Sequence, residues 1–101
     1  MLKVKNMISV KSDRPVANQF IIEDTERKRV AFQSYKSPIV LIDNCHDTIV
    51  VYKDWNYSVT TSTYRNKFME EQGLYKLANT KALANALEVG SYKNFTVIKA
   101  F

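Results

Sequence analysis

The sequence predicts an α+β fold: a curved antiparallel sheet of about six strands with two short helices packed on one face. Residues 1–52 alternate apolar and polar side chains in short runs separated by turn residues, which is typical of strands. Residues 61–90 change to helical spacing and contain both glycines of the chain, Gly73 and Gly90. With 101 residues, 46% hydrophobic and 25% charged, residues 1–101 are predicted to form a single domain.

The amino-terminal half of the chain is predicted to form strands. The amino-terminal half contains five runs with strand character: residues 2–10 with an interruption at 6–7, then 16–23, 29–35, 39–42 and 48–52. Their short connections favour hairpins between neighbours. In the last of these runs Ile49 and Val51 alternate with Val50 and Tyr52, so both of its faces are apolar and a central strand is indicated. We expect a closing strand near residues 95–98 to pair with the amino-terminal strand.

The two helices follow from their apolar stripes and their end signals. The first should begin near Thr60 or Thr61, because Tyr64 and Phe68 are one turn apart, and it should end at Gly73. The second should begin at Thr80 and end at Gly90. Its apolar register is given by Leu83, Ala84 and Leu87.

The stretch WNYSVTTSTYRNKF, residues 55–68, concentrates aromatic rings, hydroxyls and cations at the first helix start. Serine and threonine hydroxyls are preferred acceptors for the first N–H groups of a helix, so a structural role explains most of these residues. The alternative is an anion site at the helix start, assisted by Arg65 or Lys67. No glycine-rich phosphate loop accompanies it.

The sequence does not contain a set of residues that would form a catalytic or metal site. Cys45, His46 and Asp47 are adjacent, and adjacent residues of an extended chain point to opposite faces, so a hairpin turn is predicted and a triad is not. The chain has one cysteine and one histidine, which leaves a thiol or imidazole metal site short of ligands. We therefore predict no enzyme activity, no cofactor, and no catalytic, cofactor-binding or metal-binding residues.

The net charge of +5 and the pI near 9.4 favour acidic partners, either nucleic acid or an acidic protein surface. The densest positive run is Arg27-Lys28-Arg29, which we expect to gather with Lys3, Lys5, Lys11 and Arg14 at one end of the sheet. The alternative is a set of charges that protects edge strands from pairing. The candidate partner-binding residues are Arg14, Arg27, Lys28, Arg29, Trp55, Tyr57, Arg65 and Lys67.

Three segments resemble a known family. They are Val16-Ala17-Asn18-Gln19-Phe20, Phe32-Gln33-Ser34-Tyr35, and the pattern W-x-Y-S-x-T-T-x-x-Y-R-N-x-F over residues 55–68. Together they look like a family of small proteins of unknown function encoded by tailed bacteriophages of Gram-positive hosts, over residues 1 to about 98. The resemblance implies a phage or prophage accessory protein in the bacterial cytoplasm and brings no catalytic residues.

The leading functional expectation is a non-catalytic inhibitor of the anti-CRISPR kind, which binds a nucleic-acid-handling defence protein of the host. One alternative is a small basic nucleic-acid-binding module that stacks bases on Tyr35, Tyr52, Trp55 or Tyr57. Another is a phage morphogenesis component. The expected partner is thus a CRISPR-effector-type protein or nucleic acid and not a membrane, and both a monomer and a homodimer remain open.

Overall fold

The structure, a computed structural model, describes residues 1–101 and contains one open sheet of seven strands with two α-helices. The strands are β1 (Leu2–Ile8), β2 (Pro15–Asp24), β3 (Arg29–Ser34), β4 (Ser37–Asp43), β5 (Thr48–Tyr52), β6 (Ser91–Tyr92) and β7 (Phe95–Ala100). The helices are α1 (Val59–Glu71) and α2 (Thr80–Val89), joined by a 3-10 turn at Tyr75–Leu77. The predicted α+β class is confirmed.

The strand order is β1-β2-β3-β4-β5-β7-β6. Strands β1 to β5 form an antiparallel meander, as expected from their short connections. The sheet is mixed, however, because β7 runs parallel to β5. The chain between them passes through both helices and returns in the same direction, which is how a parallel pair is connected. The predicted antiparallel sheet of about six strands is thus found with seven strands, and the antiparallel prediction was wrong for the β5–β7 pair alone.

The closing strand pairs with β5 and not with the amino-terminal strand. Val97 lies opposite Ile49, while β1 forms the far edge of the sheet. Strand β5 is central, as its two apolar faces predicted, and its second edge is the one that β7 occupies. The expectation that both chain ends meet in adjacent strands was wrong, because the two helices deliver β7 beside the strand that precedes them.

Both helices pack on one face of the sheet, as predicted, and the core lies between the two layers. Phe32 of β3 stacks on Phe68 of α1 with ring centroids 5.9 Å apart. The core consists of sixteen buried apolar residues: Met7, Ile21, Val30, Phe32, Ile39, Val40, Ile42, Ile49, Val51, Tyr64, Phe68, Met69, Leu77, Leu83, Ala86 and Val97. Those on strands β2 to β5 fall mainly at alternate positions, so one face of the sheet supplies most of them.

The helix ends follow their predicted signals. Helix α1 begins at Val59, and its first turn is capped by Ser58, whose Oγ accepts the Thr61 N–H at 3.1 Å. Gly73 follows α1 and Gly90 follows α2, both with positive φ, at 79° and 83°. This left-handed conformation costs glycine little, which explains why the helices stop there.

Candidate interaction surfaces

The basic residues are divided between two ends of the sheet. Leu2 pairs with Asp24 and Ile8 pairs with Pro15, so the connections on either side of β2 lie at opposite ends. Strand β2, with ten residues, separates them by about 30 Å. Arg27 and Lys28 lie in one connection, whereas Lys11 and Arg14 lie in the other. The expected single cluster at one end of the sheet was wrong, because consecutive hairpins of a meander turn at alternate ends.

Arg65 is fully buried, at 0% exposure, and binds groups of its own chain. Its Nη1 donates to the Trp55 carbonyl at 2.7 Å, and its Nη2 donates to the Thr80 hydroxyl at 2.7 Å. The Asn66 side chain accepts from both Nε and Nη2, and the guanidinium lies 5.2 Å from the centre of the Trp55 ring. Burial lowers the pKa of Arg65 from its ordinary value to about 10.

Arg65 therefore joins α1, the loop before it and the start of α2. The prediction that Arg65 binds a partner is corrected, because its buried side chain has a structural role. Trp55 is partly buried and packs against the core, so its ring is committed in part to the same junction. No sequence signal separated this arginine from the surface cations. Its position in the helix, one residue after the buried Tyr64, was the only hint.

The other residues predicted to bind a partner differ in the exposure and the bonding of their side chains. Lys67 donates to the Ile8 carbonyl, and Arg29 forms an ion pair with Asp43 at 3.2 Å. Tyr57 is 79% exposed. The other three, Arg14, Arg27 and Lys28, are exposed and form no ion pair.

The Cys45-His46-Asp47 segment is the β4–β5 hairpin turn, as predicted. Asp43 organises it, accepting the Cys45 N–H at 3.0 Å and the His46 N–H at 3.1 Å. The His46 Nδ1 lies 3.0 Å from the same carboxylate. Burial alone would raise the pKa of Asp43, but the hydrogen bonds from His46 and Cys45 outweigh it and the pKa lies below 3.8.

A cleft of about 710 Å³ lies between the β3–β4 turn and the start of α1. Tyr35 and Tyr57 are among the residues that line this cleft. Ser34 and Thr61 also line it, and their hydroxyl oxygens are 3.2 Å apart. Ser58 already accepts the Thr61 N–H and also donates to the Thr61 hydroxyl, so this helix start satisfies its polar groups without an ion. The anion alternative remains a prediction.

The face of the sheet opposite the helices carries an unbroken apolar row. Strand pairing places six residues side by side across six strands: Val4, Ile22, Ala31, Leu41, Val50 and Ile98. We call these six residues the open-face row. None of them belongs to the buried core, and exposure rises at the two ends, to 63% at Val4 and 44% at Ile98. Phe20 and Tyr52, two residues along from Ile22 and Val50, extend the row on the same face.

Strand β1 is an edge strand whose residues 2–6 are exposed, whereas α1 reaches its far end, where Lys67 donates to the Ile8 carbonyl. This strand pairs only with β2, and every residue in it except Met7 is exposed. Leu2 and Val4 point to one face, and Lys3 and Lys5 point to the other. The outer backbone groups and both faces of residues 2–6 are therefore available to a partner.

No helix of the chain is both long enough and apolar enough to cross a membrane. A model of a family of unknown function, DUF8033, matches residues 2–85, from the start of β1 into α2. Searches of curated proteins and of solved structures each found no match. Since the family model spans most of the chain, the protein belongs to the family of unknown function DUF8033.

Proposed function

We propose that this protein is a phage-encoded accessory protein that acts without catalysis in the host bacterial cytoplasm, by binding and inhibiting a nucleic-acid-handling defence protein of the CRISPR-effector type. The observation that carries the proposal is strand β1, an edge strand exposed on both faces. Exposed edges bind partner strands through main-chain hydrogen bonds, while pockets and charges on alternate side chains select the partner.

The side chains of β1 define the chemistry of the strand that fits it. Within the chain, β2 already places Glu23 opposite Lys3 and Ile22 opposite Val4. A partner strand on the free edge meets the same alternation, so acidic residues at every second position and apolar residues between them complement it.

The same lysines disfavour pairing of β1 with a second copy of itself. Antiparallel registers centred on Val4 or Lys5 place lysine opposite lysine, and like charges directly opposite are destabilising. The inner edge of β1 is already paired with β2, so the free edge is the only side of β1 open to another chain. The edge therefore favours a different protein over a second copy.

A target in nucleic-acid defence suits this charge pattern. Nucleases that use two metal ions surround them with carboxylates, so their active sites present an acidic surface. A protein of net charge +5 is attracted to such a surface over long range. The residue pattern that resembles a phage family supports a phage origin, and its Ser58, Thr61 and Arg65 serve the fold, which leaves binding to other surfaces.

The test uses a bacterial strain with an active CRISPR nuclease and a phage that the nuclease restricts. Expression of the protein should raise plaque counts towards those of a strain without the nuclease, and the tagged protein should capture the nuclease from nuclease-treated lysate. The variant Lys3→Glu/Lys5→Glu should lose both effects. The matched control is Lys81→Glu/Lys93→Glu, which makes the same change of charge at exposed positions away from β1 and should keep them.

Three results would count against the proposal. If no nuclease is captured and no phage is protected, the inhibitor function is wrong. If the protein instead binds labelled DNA or RNA with an affinity that falls by decades as salt rises, the nucleic-acid-binding alternative gains support. If mass spectrometry of purified virions finds the protein as a stoichiometric component, the morphogenesis alternative gains support.

A further inference from the structure

We propose that two copies of this protein form a symmetric dimer by packing their open sheet faces together. The open-face row runs across six of the seven strands in continuous register. A sheet with one face on its own core and one face in water normally carries polar residues on the wet side. Here the central positions of that side are Ile22, Ala31, Leu41 and Val50.

The distribution of charge on the protein supports a second copy of the chain as the partner that covers the open face. Two molecules of net charge +5 repel each other, so they associate best through a surface that carries few cations. Of the fifteen lysines and arginines, Arg29 alone occupies a strand position on the open face, and it is already paired with Asp43. The other strand lysines alternate onto the helix side: Lys3, Lys5 and Lys99.

The few charges on the open face lie together at one end. Asp24 is opposite Arg29, and Arg29 is opposite Asp43, so the three form a cross-strand row beside the apolar one. Depletion of charge at the centre with polar residues at the rim is the composition of protein–protein interfaces. A patch with an apolar centre and a single charged margin can meet its own copy about a two-fold axis.

The size of the patch meets what a stable dimer needs. Six strands about 4.8 Å apart and three rows of side chains about 6.6 Å apart cover roughly 500–600 Å² of each copy. Two copies then bury about 1,000–1,200 Å², which reaches the lower bound for a specific interface. Packed sheets align within about 30° of each other and interdigitate their side chains, so the two rows would form a second core.

This dimer leaves β1 accessible at its outer edge, so it is compatible with the proposed function and does not rest on it. A sandwich covers the face of each sheet and leaves the hydrogen-bonding edges free. Each dimer would then present two β1 edges, related by the two-fold axis, to acidic partner strands.

The experiment measures the molecular mass in solution by sedimentation, with the full chain at a series of concentrations up to about 100 μM, well above a micromolar dissociation constant. The wild type should have twice the chain mass of 11.7 kDa. Val50→Lys places two unpaired charges in the centre of the interface and should raise the dissociation constant by at least about 100-fold. Val89→Lys makes the same change at an exposed position on α2 and should remain dimeric.

Circular dichroism of each variant establishes that it is folded. Should Val50→Lys fail to fold, Ile98→Lys replaces it, since Ile98 is already 44% exposed and tolerates a lysine in the monomer. A wild type that stays at 11.7 kDa throughout the series overturns the proposal, whatever else covers the open face. A folded Val50→Lys or Ile98→Lys protein that dimerises as tightly as the wild type overturns it as well.

Discussion

The two faces of the sheet carry similar apolar residues, yet only one of them is buried within the chain. On the helix-covered face Phe32, Val40 and Ile49 are 0% exposed. On the other face Leu41 and Val50, their neighbours along the same strands, remain partly exposed. The difference arises because the chain has only two helices, and both cross the same side.

Alternation with a period of two residues therefore assigns residues to a shared face of the sheet, but it does not indicate which face the helices cover. The pattern of β5 indicated two apolar faces, and the structure buries only the one that contains Ile49 and Val51. The contrast can be tested, because the same substitution should have very different consequences on the two faces.

The largest effect is expected for Phe68→Ala on the covered side. Phe68 is 0% exposed and stacks on Phe32, so truncation leaves a cavity and removes an aromatic contact. We expect a loss of about 3–5 kcal/mol in the free energy of unfolding. Urea unfolding followed by circular dichroism measures it.

The matched measurement on the open face is Leu41→Ala, made where the protein is monomeric, either by dilution or in the Ile98→Lys background, because Val50 lies directly opposite Leu41 and Ile98 does not. Leu41 has water on one side already, so we expect a loss of less than about 1 kcal/mol. A loss as large as that of Phe68→Ala would show that the open face is covered within one chain.

The next effect is that of Arg65→Met, which removes the link between the helices while keeping a long side chain. The Trp55 carbonyl and the Thr80 hydroxyl lose a charged donor, and we expect a loss of about 2 kcal/mol at pH 7. Arg65→Lys is the control for charge: it keeps the cation but lacks the donors to reach both groups, so we expect an intermediate loss.

The difference in stability between the wild type and Arg65→Met should depend on pH, and the pKa of Arg65 gives the direction of the change. The pKa of Arg65 is lowered to about 10 in the folded state, so the folded protein releases this proton before the unfolded chain does. The stability of the wild type relative to Arg65→Met should therefore be constant well below pH 10 and should rise as the pH increases above 10. A difference that shrinks over this range would contradict the assignment of a buried cation.

The parts of the fold that follow local rules were predictable from the sequence. The Asp43–Asp47 turn, the stops at Gly73 and Gly90 and the cap before α1 depend on neighbouring residues, and each was confirmed. The parallel pairing of β7 with β5 was not predictable, because it depends on the path of two helices over the sheet.

The candidate surfaces were predictable only in part. Exposure of Arg27, Lys28 and Tyr57 agrees with their selection as partner-binding candidates, although binding itself is still a prediction. Arg65 was misplaced because a buried arginine with neutral partners has no local pattern. The open-face row was missed because its members meet only through the pairing of six strands.

A smaller effect is expected for Asp43→Asn, and it depends on pH. The pKa of Asp43 is lowered below its usual 3.8, so this carboxylate stabilises the fold above that pH, and the contribution is lost as pH falls through the folded pKa. The variant should be less stable than the wild type at pH 7, and the difference should narrow below pH 3.8. Urea unfolding across the acid range measures the narrowing, with Asp13→Asn as an exposed control.

The smallest effect is expected for Ser58→Ala at the start of α1, the helix that covers the buried face. The Ser58 Oγ accepts the Thr61 N–H, and loss of such a cap costs about 1 kcal/mol. Ser91→Ala is the control, because Ser91 is exposed in β6 and makes no side-chain hydrogen bond. If Ser58→Ala matches that control, the helix start is held by packing of Tyr64 and Phe68 and not by its cap. Ser58 belongs neither to β1 nor to the open-face row, so the variant should also retain partner binding and dimerisation. That result would separate the stability of the covered face from the activity of the exposed surfaces.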